Sequence, residues 1–209
     1  MTAYTTDLVV PAQWTTAMSR EWRTAVPPLD AAAMVVDQLW CGAQVLPMAR
    51  FLRAQVFPVV SWDMAALMQR TTSSPAPLLQ PKAVGDVLAD TERLAQTPSV
   101  LRIMGFLGVS PLPEATKRQT VLRCLARTVV MLSPNARPHR ITLAQCDVQG
   151  VTVVVPTADG VNVVVPGNPG PRAGRAMSPI WLRVYEEHML GWALSNGQVP
   201  ATPGVMSKP

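Results

Sequence analysis

Two near-identical heptapeptides stand ten residues apart in this chain, Gly150-Val-Thr-Val-Val-Val-Pro156 and Gly160-Val-Asn-Val-Val-Val-Pro166. Runs of β-branched residues pack well on a pleated surface and poorly on a helix. Between them, Thr157, Ala158, Asp159 and Gly160 supply hairpin-turn chemistry. The sequence therefore predicts strands over 151–155 and 161–165. A third, over 141–147, completes a small antiparallel β-meander at about 141–166. Valine at successive positions leaves neither face polar, so this sheet needs cover on both sides. Two copies are too few for a solenoid, which needs about three.

The remainder predicts helices. Apolar spacing of three, four and seven residues runs through Trp14, Ala17, Met18, Trp22 and Ala25, giving a helix over 11–26 that Pro27 and Pro28 stop. Further helices are expected over 29–46, 48–56, 61–69 with Ser61 as N-cap, 82–96, 99–107 and 112–132. The last, over 178–196, has Ser178 as N-cap, Pro179 at its first position and Asn196-Gly197 at its end. The expected fold class is α+β, mostly α, with a helical N-terminal two-thirds, the meander, a C-terminal helix and an extended tail. The corresponding regions are 1–140, helical with a seam near 71–81, then the meander at 141–167, a linker at 168–177, the helix at 178–196 and a flexible tail at 197–209.

Composition limits the setting. Proline is 21 of 209 residues and charged residues are 15%, well below the ~25% of an average domain. The net charge is +5, carried by 15 Arg and only 3 Lys. Scarce Lys, Ile, Asn, Phe and Tyr together are what a GC-rich coding sequence produces. The three cysteines, Cys41, Cys124 and Cys146, follow neither a disulfide nor a metal-ligand spacing, which favours a reducing compartment. Asp7 and Glu21 near the start argue against a secretory signal. The most membrane-like stretch, 31–49, contains Asp37, Gln38, Gln44 and Pro47. A span wants about 20 apolar residues, so none is expected there, and only peripheral contact with a membrane surface is left open.

No catalytic, cofactor-binding or metal-binding motif is present. The only histidines are His139 and His188, and no Gly-x-Ser-x-Gly elbow occurs. Glu186, Glu187 and His188 are adjacent on one helix and point about 100° apart, so they are expected as a solvated pair of acids beside a histidine on the apolar border. The glycine-rich stretch 167–174 is interrupted by Pro169 and Pro171, which removes the backbone donors a phosphate cradle uses.

Two sets of residues point to contacts. Lys117, Arg118, Arg123, Arg127, Arg137 and Arg140 lie within 24 residues with no acid among them. Arg118, Arg123, Arg127, Arg137 and Arg140 are the candidate anion or partner contacts. Trp14, Trp22, Trp181 and Trp192 lie on the terminal helices and are candidate interface residues, since tryptophan is enriched at interfaces. Low charge, an apolar meander short of cover, tryptophan-bearing helices, many prolines and a Pro/Gly tail able to lie along a neighbour together suggest a non-catalytic structural or accessory subunit of a larger assembly, an organellar complex or a virion or particle. Its partners would be other protein subunits. The alternative is a nucleic-acid or anionic-surface binding module using the Arg-rich helix and loop at 117–140. Nucleic acid is the weaker partner, because no Phe, Trp or Tyr lies between Phe106 and Trp181 to stack on bases.

Overall fold

The structure is a computed structural model and describes residues 9–13, 19, 22, 24, 26–73, 97–109, 121–171 and 176–200, with the side chains of 71 and 73 left aside. The chain divides into two compact units. The larger comprises Val9–Ser61 and Ile103–Met177, and the smaller includes Trp62–Arg102 and Ser178–Pro209.

The centre of the fold is a mixed sheet of eight strands, not a three-stranded meander beside a helical bundle. Its strands are β1 (Val9–Pro11), β2 (Gln44–Val45), β3 (Ala49–Phe51), β4 (Ala54–Trp62), β5 (Leu101–Val109), β6 (Arg127–Met131), β7 (Thr152–Thr157) and β8 (Gly160–Val165). Four α-helices accompany them among the described residues: α1 (Pro28–Leu39), α2 (Met64–Ser73), α3 (Arg140–Gln149) and α4 (Pro179–Ser195). The strand order is β1-β3-β4-β5-β6-β7-β8, with β2 paired to the far half of β4. β5, β6 and β7 run parallel, and β8 returns antiparallel on β7.

Both faces of the central strands are buried, and alternate residues serve opposite faces. Val129, Met131 and Val154 join a cluster with Ala31, Ala32, Val35 and Val36 of α1. Val130, Leu132, Val153 and Val165 join a second cluster with Cys146 of α3. Burying a valine contributes about 1.5–3 kcal/mol. A one-residue slip would exchange the two sets of valines between clusters of different shape, and this fixes the register.

Each departure from the mostly-α expectation has a local cause. The segment 141–147 is helical because its caps decide it. The His139 side chain accepts from the Ile141 N–H, and Gly150 ends the helix at φ 71°, its N–H reaching the Asp147 and Cys146 carbonyls. Gly150 thus closes α3 instead of opening a strand. The segment 99–107 is mostly β5, whose first residues alternate buried and exposed, Leu101 and Ile103 in, Arg102 and Met104 out. The described part of 112–132 is a 3₁₀ turn at Leu122–Cys124 followed by β6. The helix expected over 29–46 stops at Leu39, and Gly42 at φ 74° turns the chain toward β2. Asp63, not Ser61, begins the helix after β4, its Oδ1 accepting from the Ala66 N–H at 2.9 Å. Pro11 ends strand β1 instead of starting a helix, and the expected helix at 82–96 lies outside the described residues. The C-terminal helix is where the sequence puts it, α4 at Pro179–Ser195.

The segment 48–56 is a hairpin, β3 to β4, turning at Leu52 and Arg53 with φ of 48° and 70°. Both sit in the left-handed region, which costs an L-residue roughly 1–2 kcal/mol and normally calls for Asn-Gly. The double substitution Leu52→Asn, Arg53→Gly is therefore expected to raise stability by about 1 kcal/mol, the gain being partly offset by the extra freedom of glycine in the unfolded chain. An increased urea midpoint at unchanged slope would show it.

Candidate functional site

Among the described residues of the Arg-rich segment, Arg123 and Arg127 turn inward while Arg137 and Arg140 are exposed. Arg123, at the 3₁₀ turn, is buried, and its Nη1 donates to the Gln149 carbonyl at 3.2 Å and to Gln149 Oε1 at 3.1 Å. Arg127 opens β6. Its Nε donates to Thr152 Oγ1 at 3.2 Å, its Nη2 to the Pro166 carbonyl at 3.4 Å, and its guanidinium lies 5.4 Å from the Trp40 ring centroid. Burial lowers the pKa of this guanidinium. Both arginines thus join strand and helix ends inside the larger unit. Arg137 and Arg140 are exposed, just before and at the start of α3. Arg118 lies outside the described residues.

The tryptophans divide as well. Trp22 is buried in the α1 cluster, and its Nε1 donates to the Val26 carbonyl at 2.8 Å. Trp192 is buried on α4, and Trp181 on the same helix is 38% exposed. Trp14 lies outside the described residues.

The acids expected on a solvated face are inside the smaller unit. Glu187 is 2% exposed and Glu186 8%. Glu187 accepts from Arg70 Nη2 at 2.8 and 2.9 Å, and Arg183 Nη2 lies 2.8 Å from its Oε1. Glu186 Oε2 accepts from Ser99 Oγ at 2.9 Å. Burial lowers the Arg183 pKa, Glu187 and Glu186 oppose that shift, and Arg70 adds to it. Burial raises the Tyr185 pKa. The available signal was Arg183 one helical turn before Glu187, with apolar residues on both sides. This cluster is charge-balanced within itself, and among the described residues no group of three or more His, Cys, Asp or Glu stands together as a metal site. Cys146 is buried in the second core cluster, and burial raises its thiol pKa while Arg123 pulls the other way.

The two most exposed large apolar side chains among the described residues lie on the outside of α3. Ile141 is 63% exposed and Val148 77%. They are seven residues apart and share one face with exposed Ala144 and Gln145, while Cys146 faces the sheet. Exposed Arg140 precedes Ile141 in the chain, and exposed Asp147 precedes Val148. The strand expected over 141–147 hides this stripe, because residues seven apart fall on opposite faces of a strand. Among the described residues no helix is long and apolar enough to cross a membrane. No protein-family model, curated protein or solved structure matches this chain.

Proposed function

We propose that this protein is a non-catalytic subunit of a larger assembly, working through protein–protein contacts. The observation that carries the reading is the pair Ile141 and Val148, both turned outward on one face of α3. A short helix pinned to a sheet has no need of two exposed β-branched side chains one face deep. Each gains about 1.5–3 kcal/mol if a partner buries it. Exposed Arg140 adjoins Ile141 in the chain and exposed Asp147 adjoins Val148, so the stripe is flanked by one charge of each sign, which suits an apolar partner surface carrying the complementary pair.

The test is the double variant Ile141→Lys, Val148→Lys. Both side chains point to solvent, so folding stability is expected to hold within about 0.5 kcal/mol. In extracts of its own cells the unaltered chain is expected to sediment well above the 22.6 kDa of one chain, and the double variant to move to lighter fractions. A wild-type chain sedimenting at that single-chain mass sinks the reading, as does a heavy fraction indifferent to the two lysines.

A further inference from the structure

We infer that the free edge of β8 joins a second copy of this chain, so that the two sheets become one across a two-fold axis at Asn162. β8 ends the strand order, and among the described residues no strand lies beyond it. It carries no charged residue, the usual guard of an exposed edge.

The ladder shows which backbone groups it offers. Pro156 stands opposite Val161 and has no N–H, so those two cannot exchange bonds. Pairs alternate along an antiparallel ladder. The bonded pairs are then Thr157 with Gly160 and Val155 with Asn162, and the N–H and C=O groups of Val161 and Val163 point away from β7.

The strand that already pairs with β8 identifies the partner. β7 and β8 are the two near-identical heptapeptides, differing inside by Thr152 against Asn162. The β7–β8 hairpin therefore demonstrates that this sequence accepts its own kind antiparallel. A second β8 satisfies the edge when Val161 bonds to Val163 of the partner subunit and the reverse, which sets Asn162 against Asn162 of the partner subunit. The flanks fit. α1 and α3 each pack over β7 and β8, on opposite faces. A two-fold axis normal to the sheet at Asn162 puts α1 on the same face as α1 of the partner subunit, and α3 likewise. A stable interface takes about 20–30 residues a side, more than six residues of strand, and the two helix flanks supply the rest.

This inference rests on the β8 edge, whereas the proposed function rests on Ile141 and Val148, and the two tests alter different residues. Light scattering on the pure chain is expected to give twice 22.6 kDa at high concentration. Asn162→Lys places two like charges on the axis and is expected to raise the dimer dissociation constant at least tenfold with unchanged circular dichroism. Asn162→Cys, made in a Cys41→Ser background because Cys41 is exposed, is expected to cross-link two chains on oxidation. Directly opposed residues of an unbonded pair have Cα atoms about 4.5 Å apart, within disulfide reach. A pure chain that stays monomeric at every concentration overturns the inference. So does a dimer that survives Asn162→Lys and does not cross-link through Cys at 162. In either case the α3 reading is still decided by its own two lysines.

Discussion

Replacing Glu187 by alanine is expected to destabilise the protein by about 3–5 kcal/mol, the cost of leaving a buried charge without its partner. Glu187 is the only acid bonded to Arg70 among the described residues, and Arg70 is itself 6% exposed. The Arg70 Nε and Nη1 have no partner of their own, nor has the Arg183 Nε. Arg183 retains the Thr97 and Pro98 carbonyls, at 3.2 and 2.9 Å, whichever residue stands at 187. Arg70 retains nothing comparable. For a chain of 150–250 residues each kcal/mol moves the melting temperature by about 2–4 °C, so a fall of roughly 6–20 °C follows. Fluorescence is a suitable probe, because Trp192 is buried on the same helix.

The double variant Arg70→Met, Glu187→Met tests the cause. Removing both charges leaves no uncompensated ion at that contact, and an apolar pair of similar volume is often neutral or better. It is expected to be more stable than Glu187→Ala alone. If the two single losses add in the double variant, the arginine and glutamate contribute by packing and not as a charge pair.

The same cluster shows how far the sequence could be read. α4 was legible because its punctuation is local: Ser178 and Pro179 begin it and Asn196 ends it. The β7–β8 hairpin was legible for the same reason. Which face of α4 is inside was not, because two adjacent glutamates read as solvated until Arg70, 117 residues away in sequence, is brought to one of them. Arg123 and Arg127, two of the arginines of 117–140, departed in the opposite direction. Charge density along the chain says nothing of direction, and Arg127 turns inward because it opens β6 opposite Thr152 and beside Trp40. The β3–β4 hairpin was hidden because Leu52 and Arg53 make a turn that glycine or asparagine usually makes. β5 had a visible alternation at Leu101–Met104, but Ser99 drew the segment toward a helix. Its hydroxyl in fact donates to the Leu101 carbonyl and to Glu186. The α3 stripe became visible only once 140–149 was known to be helical, since residues seven apart, Ile141 and Val148, share a face on a helix and not on a strand.

Gly167→Ala is the second substitution with a large expected effect, and Gly170→Ala three residues later is its control. Gly167 has φ 56°, a conformation costing an L-residue roughly 1–2 kcal/mol. A Cβ there would stand 2.6 Å from the Val151 carbonyl carbon and 2.7 Å from Thr152 Oγ1, and closer still to the Thr152 nitrogen. Those are mostly backbone atoms, so relief requires the start of β7 to move, at about 1–3 kcal/mol for overpacking. The two terms give a loss of roughly 2–5 kcal/mol. The displaced region is a knot of contacts. The Pro166 carbonyl accepts from Thr152 Oγ1 at 2.8 Å and from Arg127, and the Asn168 N–H reaches the Gly150 carbonyl at 3.0 Å. Together these hold the exit of β8 against the entry of β7. Loosening them frees the outer strand before the rest of the sheet, so hydrogen exchange in Gly167→Ala is expected to accelerate first at β8 amides. Gly170 meets nothing within 4 Å, and its φ is not in the left-handed region. Alanine at 170 is therefore expected to be neutral or to stabilise by up to about 1 kcal/mol, through the unfolded chain alone. Equal losses at 167 and 170 in urea unfolding would mean that the loop, and not the contact of Gly167 with β7, sets the cost.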